Sequence, residues 1–534
     1  MEIRPLSDGL FALSHPGFSP ALNRAARSIP GMRQQGRMWI GYPDAVEATA
    51  SLLLAQKLRF DLQKGPADVF PKFKAIIDPP LIPIAEKDLR GYQLEGVKFL
   101  INRGKTGALL GDSPGLGKTA QGIVAARALN SPTVVVCPSF ARGVWRRELG
   151  KWWPKLKPDE IFFPEGVKKT SIVESTIKLV VIHYDILYAW LEKILDWGPR
   201  VVIFDEGHIL SSEKSRRSAA CRELARASEY RWVLTGTPML NRPKDLWGLL
   251  QTISPGRFGR DDQFFAYALR HCAAHKIEIE AIQKTVWDFS GISHEDELRT
   301  RLSWLMLRRQ LSDPEVALDL PPKTRNIVWL EGNKKQKSFS LTNRRELRAA
   351  LDSAADAKLP TVIETLINDG WDSPRVVFCW RKSVVSAVAE SYRAAGAPSV
   401  EVITGDVLPK ERERRIAKAR EGILVVTIDS CGVAIDLSHA PYADFVEFVH
   451  EPWKFIQAEA RVHRFGQQSM TVVRYFAQSG SADELIIDNV VSKLEAIGAI
   501  VGSSDEEKSL QKKLSGEGFS EEDILKDIFA GVET

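Results

Sequence analysis

Short apolar runs rich in β-branched residues recur along this chain with room for one helix between them, and this rhythm restricts the fold more than any other feature. The runs TVVVC (133–137), KLVVIHY (178–184), RVVIFD (200–205) and RWVLTG (231–236) are apolar almost throughout rather than at every second position. A strand of that kind is buried on both faces, which predicts a parallel sheet covered by helices on either side. Helices are expected at 118–129 and 142–152, between the runs. A second set follows: RVVFCW (375–380), VEVIT (400–404), ILVVTID (423–429), DFVEFVH (444–450) and TVVRYF (471–476). The expected fold class is therefore α/β, with two lobes of one architecture in tandem.

The remaining segments set the expected boundaries. Residues 1–85 read as a separate accessory unit, 86–252 as the first lobe and 325–502 as the second. Between the lobes, 253–324 reads as a helical insertion rich in Arg, Phe and Trp, ending in the stiff link Leu-Pro-Pro-Lys at 320–323. Phe264, Phe265 and Trp304 are expected in its core. Residues 503–534 read as a polar tail with one short amphipathic stretch at 521–529.

With 44% hydrophobic and 26% charged residues in 534, the composition is that of a globular protein and argues against wholesale disorder. The net charge of +5 permits a nucleic-acid partner without demanding one. Five widely spaced cysteines form no CxxC pair, so neither structural zinc nor a disulfide framework is expected. No run approaches the ~18 apolar residues of a membrane helix, and the opening residues lack the apolar stretch of a signal peptide. A cytoplasmic location is expected, or a nuclear one in a eukaryote.

Two clusters carry chemistry. Gly111-Asp-Ser-Pro-Gly115-Leu-Gly117-Lys118-Thr119 follows an expected strand at 108–110 and opens a helix. Glycines there let backbone N–H groups close around phosphates at a helix N-terminus. Lys118 would neutralise β and γ phosphates and Thr119 would hold Mg²⁺. Asp112 stands where the strict GxxxxGK[ST] pattern has its first glycine. Asp205-Glu206-Gly207-His208 follows the apolar run RVVIF, and a strand end beside a phosphate loop is where such sheets bind ligands. Asp205 would support Mg²⁺ and Glu206 would orient the attacking water.

The order of motifs then identifies a family. LRGYQLEG (89–96), the phosphate loop, VCPS (136–139), DEGH, LTGTP (234–238), VVTIDSCG (425–432) and QAEARVHRFGQ (457–467) occur in that sequence. Over residues 86–500 the chain resembles the Swi/Snf-type ATPases of helicase superfamily 2. The resemblance implies two RecA-like lobes, ATP and Mg²⁺, and translocation on double-stranded or fork DNA in repair or replication, with replication or repair proteins as further partners and no membrane. It implies that Gln93 reads adenine, and that Gly115, Gly117, Lys118 and Thr119 hold phosphates. It gives Asp205 and Glu206 the metal and the water, and Thr235 and Thr237 the coupling to nucleic acid. Arg461 and Arg464 would reach the γ-phosphate from the opposite lobe, with Gln457 beside them. Ser139, Arg142, Thr237, Arg381, Thr404 and Thr427 would face DNA. The chain departs from the pattern at Ala460, at Cys431-Gly432 with Ala434 and Asp436, and at Gly207. In the N-terminal unit, Arg24, Arg27, Arg33 and Arg37 near Trp39 resemble the accessory domain of HARP-type annealing helicases, implying backbone charge plus stacking on fork DNA; the alternative is a structural cap on the first lobe. An RNA-directed ATPase of the same superfamily, or a catalytically weak module that binds DNA or RNA polymerase, are the competing functions.

Overall fold

The computed structural model describes residues 2–6, 10–14, 19–36, 38–55, 89–103, 106–167, 176–211, 215–239, 242–279, 284–311, 313–316, 320–331, 344–432, 435–449, 452–464, 466–488 and 490–491. Arg37, Ala434 and the expected tail helix at 521–529 lie outside them. The chain divides after Val316 into two units.

The first unit opens with strands β1 (Glu2–Pro5), β2 (Phe11–Ser14), β3 (Arg33–Gln35) and β4 (Met38–Gly41), an antiparallel sheet in the order β1-β2-β4-β3. Helix Pro20–Ser28 starts where Pro20 fixes φ and the Ser19 hydroxyl accepts from the Leu22 N–H at 3.2 Å. Its apolar face meets Phe11, Leu13, Trp39 and Val46 in a small core. Trp39 is a correction to the expected DNA-stacking residue: it is buried, and its Nε1–H donates to Asn23 Oδ1 at 2.8 Å. Arg24, Arg27 and Arg33 are exposed.

A seven-stranded, all-parallel sheet follows. Its strands are β5 (Ala108–Leu110), β6 (Thr133–Cys137), β7 (Ile161–Phe162), β8 (Leu179–His183), β9 (Val201–Asp205) and β10 (Tyr230–Leu234), joined by β13 (Met306–Leu307) from later in the chain; the order is β13-β5-β10-β9-β6-β8-β7. Helix Lys118–Leu129 packs close because Gly122 leaves only 3.0 Å between a would-be Cβ and Leu234 Cδ1. Helix Arg142–Trp152 buries Trp145, Leu149 and Trp152, positions repeating at helical spacing.

The segment read as helical holds helix Phe264–His271, the antiparallel hairpin β11 (His275–Ile279) and β12 (Lys284–Asp288), and helix Glu295–Ser303. The hairpin escaped the sequence reading because HKIEI and KTVWD mix charged and apolar residues with no glycine turn signal beside them. Strand β13 then returns the chain to the parallel sheet beside β5. Phe264 packs against Trp247 and Phe289, whereas Phe265, against Trp287, keeps 41% of its surface exposed. Trp304 is buried in the N-terminal unit's core, with its indole N–H on Glu47 Oε2 at 2.9 Å.

The second unit carries a six-stranded parallel sheet: β14 (Lys323–Leu330), β15 (Arg375–Cys379), β16 (Val400–Ile403), β17 (Ile423–Thr427), β18 (Tyr442–Phe445) and β19 (Thr471–Gln478), in the order β14-β19-β18-β15-β17-β16. Phe378, Phe445 and Tyr475 stack through its core at centroid distances of 4.6 and 4.8 Å. Strand β14 begins directly after Pro321-Pro322, so the stiff link runs straight into the sheet. Among the described residues no helix is long and apolar enough to cross a membrane.

Candidate active site

Register brings the chemistry to one edge of the first sheet. Leu110 at the end of β5 pairs with Leu234 at the end of β10, and Leu234 pairs with Asp205 at the end of β9. The loops that follow these three strands therefore share the carboxyl edge, where parallel sheets bind ligands.

After β5 comes the glycine-rich loop. Gly115 has φ +91° with nothing within 4 Å of a would-be Cβ, and Gly117 has φ +75°. Both conformations favour glycine, and the open side at Gly115 lets a ligand approach the backbone. Gly117 is the N-cap of helix Lys118–Leu129 with no side-chain cap bond, so the helix's positive end is not closed off by a cap. The Lys118 ammonium folds back on the loop, donating to the carbonyls of Asp112 at 2.7 Å and Ser113 at 3.2 Å. The half-buried Thr119 lies beside it in the first helical turn. Gln93 donates to the Leu116 carbonyl at 3.2 Å and accepts from the Arg90 N–H at 3.1 Å, which sets it over Gly117.

At the end of β9, Asp205 is held by three groups. Trp145 Nε1–H donates to Oδ2 at 2.7 Å, the Glu206 N–H donates to Oδ1 at 3.1 Å, and the Tyr184 hydroxyl donates to the Asp205 carbonyl at 2.9 Å. Burial, then the neighbouring Glu206 charge, pushes the Asp205 carboxyl up to about 6, although the Trp145 indole and Lys118 oppose this. A cation placed there would reverse that balance, so this carboxyl suits a metal. Glu206 sits at φ +50°, a left-handed conformation that costs a non-glycine residue about 1 kcal/mol or more. Its carboxylate lies 3.3 Å from His208 Nδ1, and the hydroxyls of Thr235 and Thr237 each lie 3.5 Å from the same nitrogen. Thr235 Oγ1 also accepts from the Thr237 N–H at 3.1 Å, so the loop after β10 is tied to the DEGH turn through His208. Gly207 is required by packing: a Cβ there would fall 2.3 Å from Val233 Cγ1.

Asp112, counted from sequence as a departure, has a partner 197 residues away. Arg309 Nε donates to its Oδ1 at 3.0 Å and Nη2 to its Oδ2 at 2.6 Å, with both side chains buried. Gln121 Nε2 donates to Asp112 Oδ2 at 3.2 Å, and Arg309 Nη1 donates to the Tyr92 carbonyl.

In the second unit, helix Pro452–Val462 carries the buried Gln457 and the half-buried Arg461, with Arg464 just beyond its end. Glu459 anchors this helix to β14. Its carboxylate accepts from Arg325 Nε at 2.8 and 3.1 Å, from Lys323 Nζ at 3.0 Å, and from the Tyr475 hydroxyl. Burial alone would raise Glu459, but the Arg325 and Lys323 charges hold it down at about 2. Asp436, standing where the family pattern has Asn, accepts from the Ser438 N–H at 3.1 Å, with Arg464 among the charges that lower it.

The expected DNA-facing residues divide. Ser139 is exposed at the start of the turn before helix Arg142–Trp152, and Arg142 lies over the Phe163 ring at 5.7 Å. Thr404 is half-buried at the end of β16. Thr237 and Thr427 are buried, the latter sharing a 2.6 Å hydrogen bond with the Ser430 hydroxyl. Arg381 departs from expectation: its guanidinium contacts Glu447 at 2.7 Å, Asp356 at 2.8 Å and Asp352 at 3.6 Å. Three carboxylates leave little net positive charge for a phosphate. Sequence reasoning missed Trp145, Tyr184, His208, Arg309, Arg325 and Glu459. Only His208 and Glu459 lay inside a motif, so a closer look at those motifs was the one available signal.

The model of the SNF2-related domain matches residues 92–368, and that of the helicase conserved C-terminal domain matches 357–466. The SWI/SNF-related matrix-associated actin-dependent regulator of chromatin subfamily A-like protein 1 of Xenopus laevis is 29% identical over 77% of this chain and 44% of its own length. The human DNA annealing helicase and endonuclease ZRANB3 is 28% identical over 78% of this chain and 40% of its own. The chain thus spans less than half the length of these two curated relatives. The SWI2/SNF2 ATPase core of Sulfolobus solfataricus in complex with dsDNA aligns with 79% of this chain and 100% of its own at a TM-score of 0.40 and 20% identity, too loose a superposition to carry an argument.

Proposed function

This chain belongs to the SNF2-related ATPase family, and from that premise we propose that it is an ATP-driven translocase on double-stranded DNA, acting in fork remodelling or strand annealing. One observation carries the reading: a lysine-bearing phosphate loop and a strained Asp-Glu pair stand on the same carboxyl edge of a parallel sheet.

In the mechanism, the backbone N–H groups around Gly115 and Gly117 bind the phosphates and Gln93 holds the base. Lys118 exchanges its loop carbonyls for phosphate oxygens. Thr119 and Asp205 suit Mg²⁺, which would neutralise charge on the phosphates. Glu206, fixed by its unusual backbone and by His208, orients the attacking water and accepts its proton. Thr235 and Thr237 touch the same His208, so a change at Glu206 reaches the loop after β10. Arg461 and Arg464 are the proposed partners for the negative charge that develops on the γ-phosphate during cleavage. Ser139, Arg142 and Thr404 are proposed contacts to the DNA backbone, with Arg24, Arg27 and Arg33 extending that surface in the N-terminal unit.

The test is ATP turnover with duplex DNA, forked DNA, single strands or RNA, together with displacement of a third strand from linear duplex. Duplex or forked DNA is expected to stimulate most, and third-strand displacement to require ATP. Strongest stimulation by RNA, or no displacement, would overturn the translocase reading.

A further inference from the structure

Two buried arginines, one on each side of the passage between the units, each lock an element that the proposed mechanism uses. Before the passage, Arg309 grips the phosphate loop twice. Its guanidinium forks onto Asp112, and its carbonyl accepts from the Ser113 N–H at 2.9 Å, while the Gly111 N–H donates to the Leu307 carbonyl at 2.7 Å. The same guanidinium reaches Tyr92 and Gln121, so it also ties the loop to the helix that carries Gln93. Space has been cleared for this: a Cβ on Gly96 would lie 1.7 Å from Gln121 Oε1 and 2.7 Å from Arg309 Nη2. After the passage, Arg325 and Lys323 hold Glu459 on the helix of Gln457 and Arg461. His463 Nε2–H donates to the Pro321 carbonyl at 2.8 Å, adding a second tie from the link to that helix.

We infer that Arg309 and Arg325 are positioning residues of the ATPase, Arg309 latching the phosphate loop through Asp112 and Arg325 latching the arginine-bearing helix through Glu459. Neither arginine touches nucleotide in this scheme; each acts through the carboxylate it holds. A buried ion pair is weak evidence for stability but a strong geometric constraint, because a planar fork on a carboxylate fixes both partners. Lysine keeps the charge and loses the fork. The inference rests on the nucleotide roles proposed for Lys118 and Arg461.

The experiment measures KM and kcat for ATP under saturating duplex DNA, the Kd of a fluorescent ATP analogue, and thermal unfolding, on the full chain. The variants are Arg309→Lys, Asp112→Asn, their combination, Arg325→Lys and Lys118→Ala. Arg309→Lys is expected to raise KM and the analogue Kd by roughly 5-fold or more with a smaller change in kcat. The combined variant should be no worse than the worse single one, the non-additivity of a shared contact. Arg325→Lys should lower kcat by about 10-fold and leave the analogue Kd within about 2-fold. Simple unfolding would lower kcat in both without this split, and Asp112→Asn, of nearly unchanged shape, keeps the first latch testable if Arg309→Lys misfolds. Wild-type constants in both lysine variants, or losses that only follow the unfolded fraction, would overturn the inference. If Lys118→Ala still turns over ATP, the nucleotide-site reading itself fails; if it is inactive while both lysine variants are normal, only the latches fail.

Discussion

Glu206 and Gly207 show how much one turn is asked to do. The carboxylate residue adopts a left-handed backbone, and its neighbour has no room for a methyl group. Glu206→Gln keeps the shape and the strain but removes the group that takes a proton. It is expected to bind ATP normally and to lose turnover by about two to three orders of magnitude, read as kcat beside the Kd of a nucleotide analogue. Gly207→Ala would turn this motif into Asp-Glu-Ala-His and still harm this chain. The added Cβ meets Val233, and overpacking of this kind costs about 1–3 kcal/mol, visible as a lowered unfolding midpoint. Pairing it with Val233→Ala should recover part of the loss, whereas full tolerance of the single change would mean that β10 yields easily.

Among the elements, the N-terminal unit docks on the first lobe's insertion through a buried cluster. Asp44 accepts from Arg257 Nε at 2.6 Å and from Arg301 Nε at 2.8 Å, and Arg301 Nη2 donates to the Arg257 carbonyl at 2.6 Å. Gly31 lies so close that a Cβ would sit 1.9 Å from that carbonyl. Asp44→Ala leaves two guanidinium groups buried without their carboxylate, a loss of about 3–5 kcal/mol. Limited proteolysis should then release the N-terminal unit before the lobe is cut; unchanged protection would show that the cluster is dispensable. The helix Pro452–Val462 offers a pH test. Glu459 falls from an ordinary 4.5 to about 2, so the fold favours its ionised form. That stabilisation is present above pH 4.5 and is lost as pH falls towards 2, on the order of 3 kcal/mol in all. Glu459→Gln should lower stability at neutral pH in denaturant titrations and flatten the acid limb between those values.

At the scale of the whole molecule, a net charge of +5 says little by itself about where a polyanion would lie. The exposed Arg24, Arg27 and Arg33 give the N-terminal unit a basic surface, and its docking makes that surface part of the first unit rather than a tethered arm. Duplex affinity is expected to fall linearly on a log–log plot against salt. Replacing Arg27 and Arg33 with Ala should reduce the slope by about 1 for each phosphate that the variant no longer neutralises. An unchanged slope would remove this surface from the proposed DNA path.

The amino-acid sequence by itself determined the two parallel sheets and the glycine-rich loop that opens helix Lys118–Leu129. Doubly buried strands need continuous apolar runs, and a phosphate-binding turn needs glycines and a lysine at adjacent positions, so both signals are local. Helices Lys118–Leu129 and Arg142–Trp152 were legible for the same reason. The hairpin β11–β12 was not, because its two short strands carry many charged residues and no glycine or Asn-Gly turn signal stands between them. Tertiary structure alone decided what the polar residues do. Asp112 became a strut once Arg309 arrived from far along the chain, Trp39 became core because helix Pro20–Ser28 and Trp304 pack over its strand, and Arg381 met three carboxylates. Charges and aromatic rings take their roles from partners distant in sequence, and no spacing along the chain encodes which partner will be there.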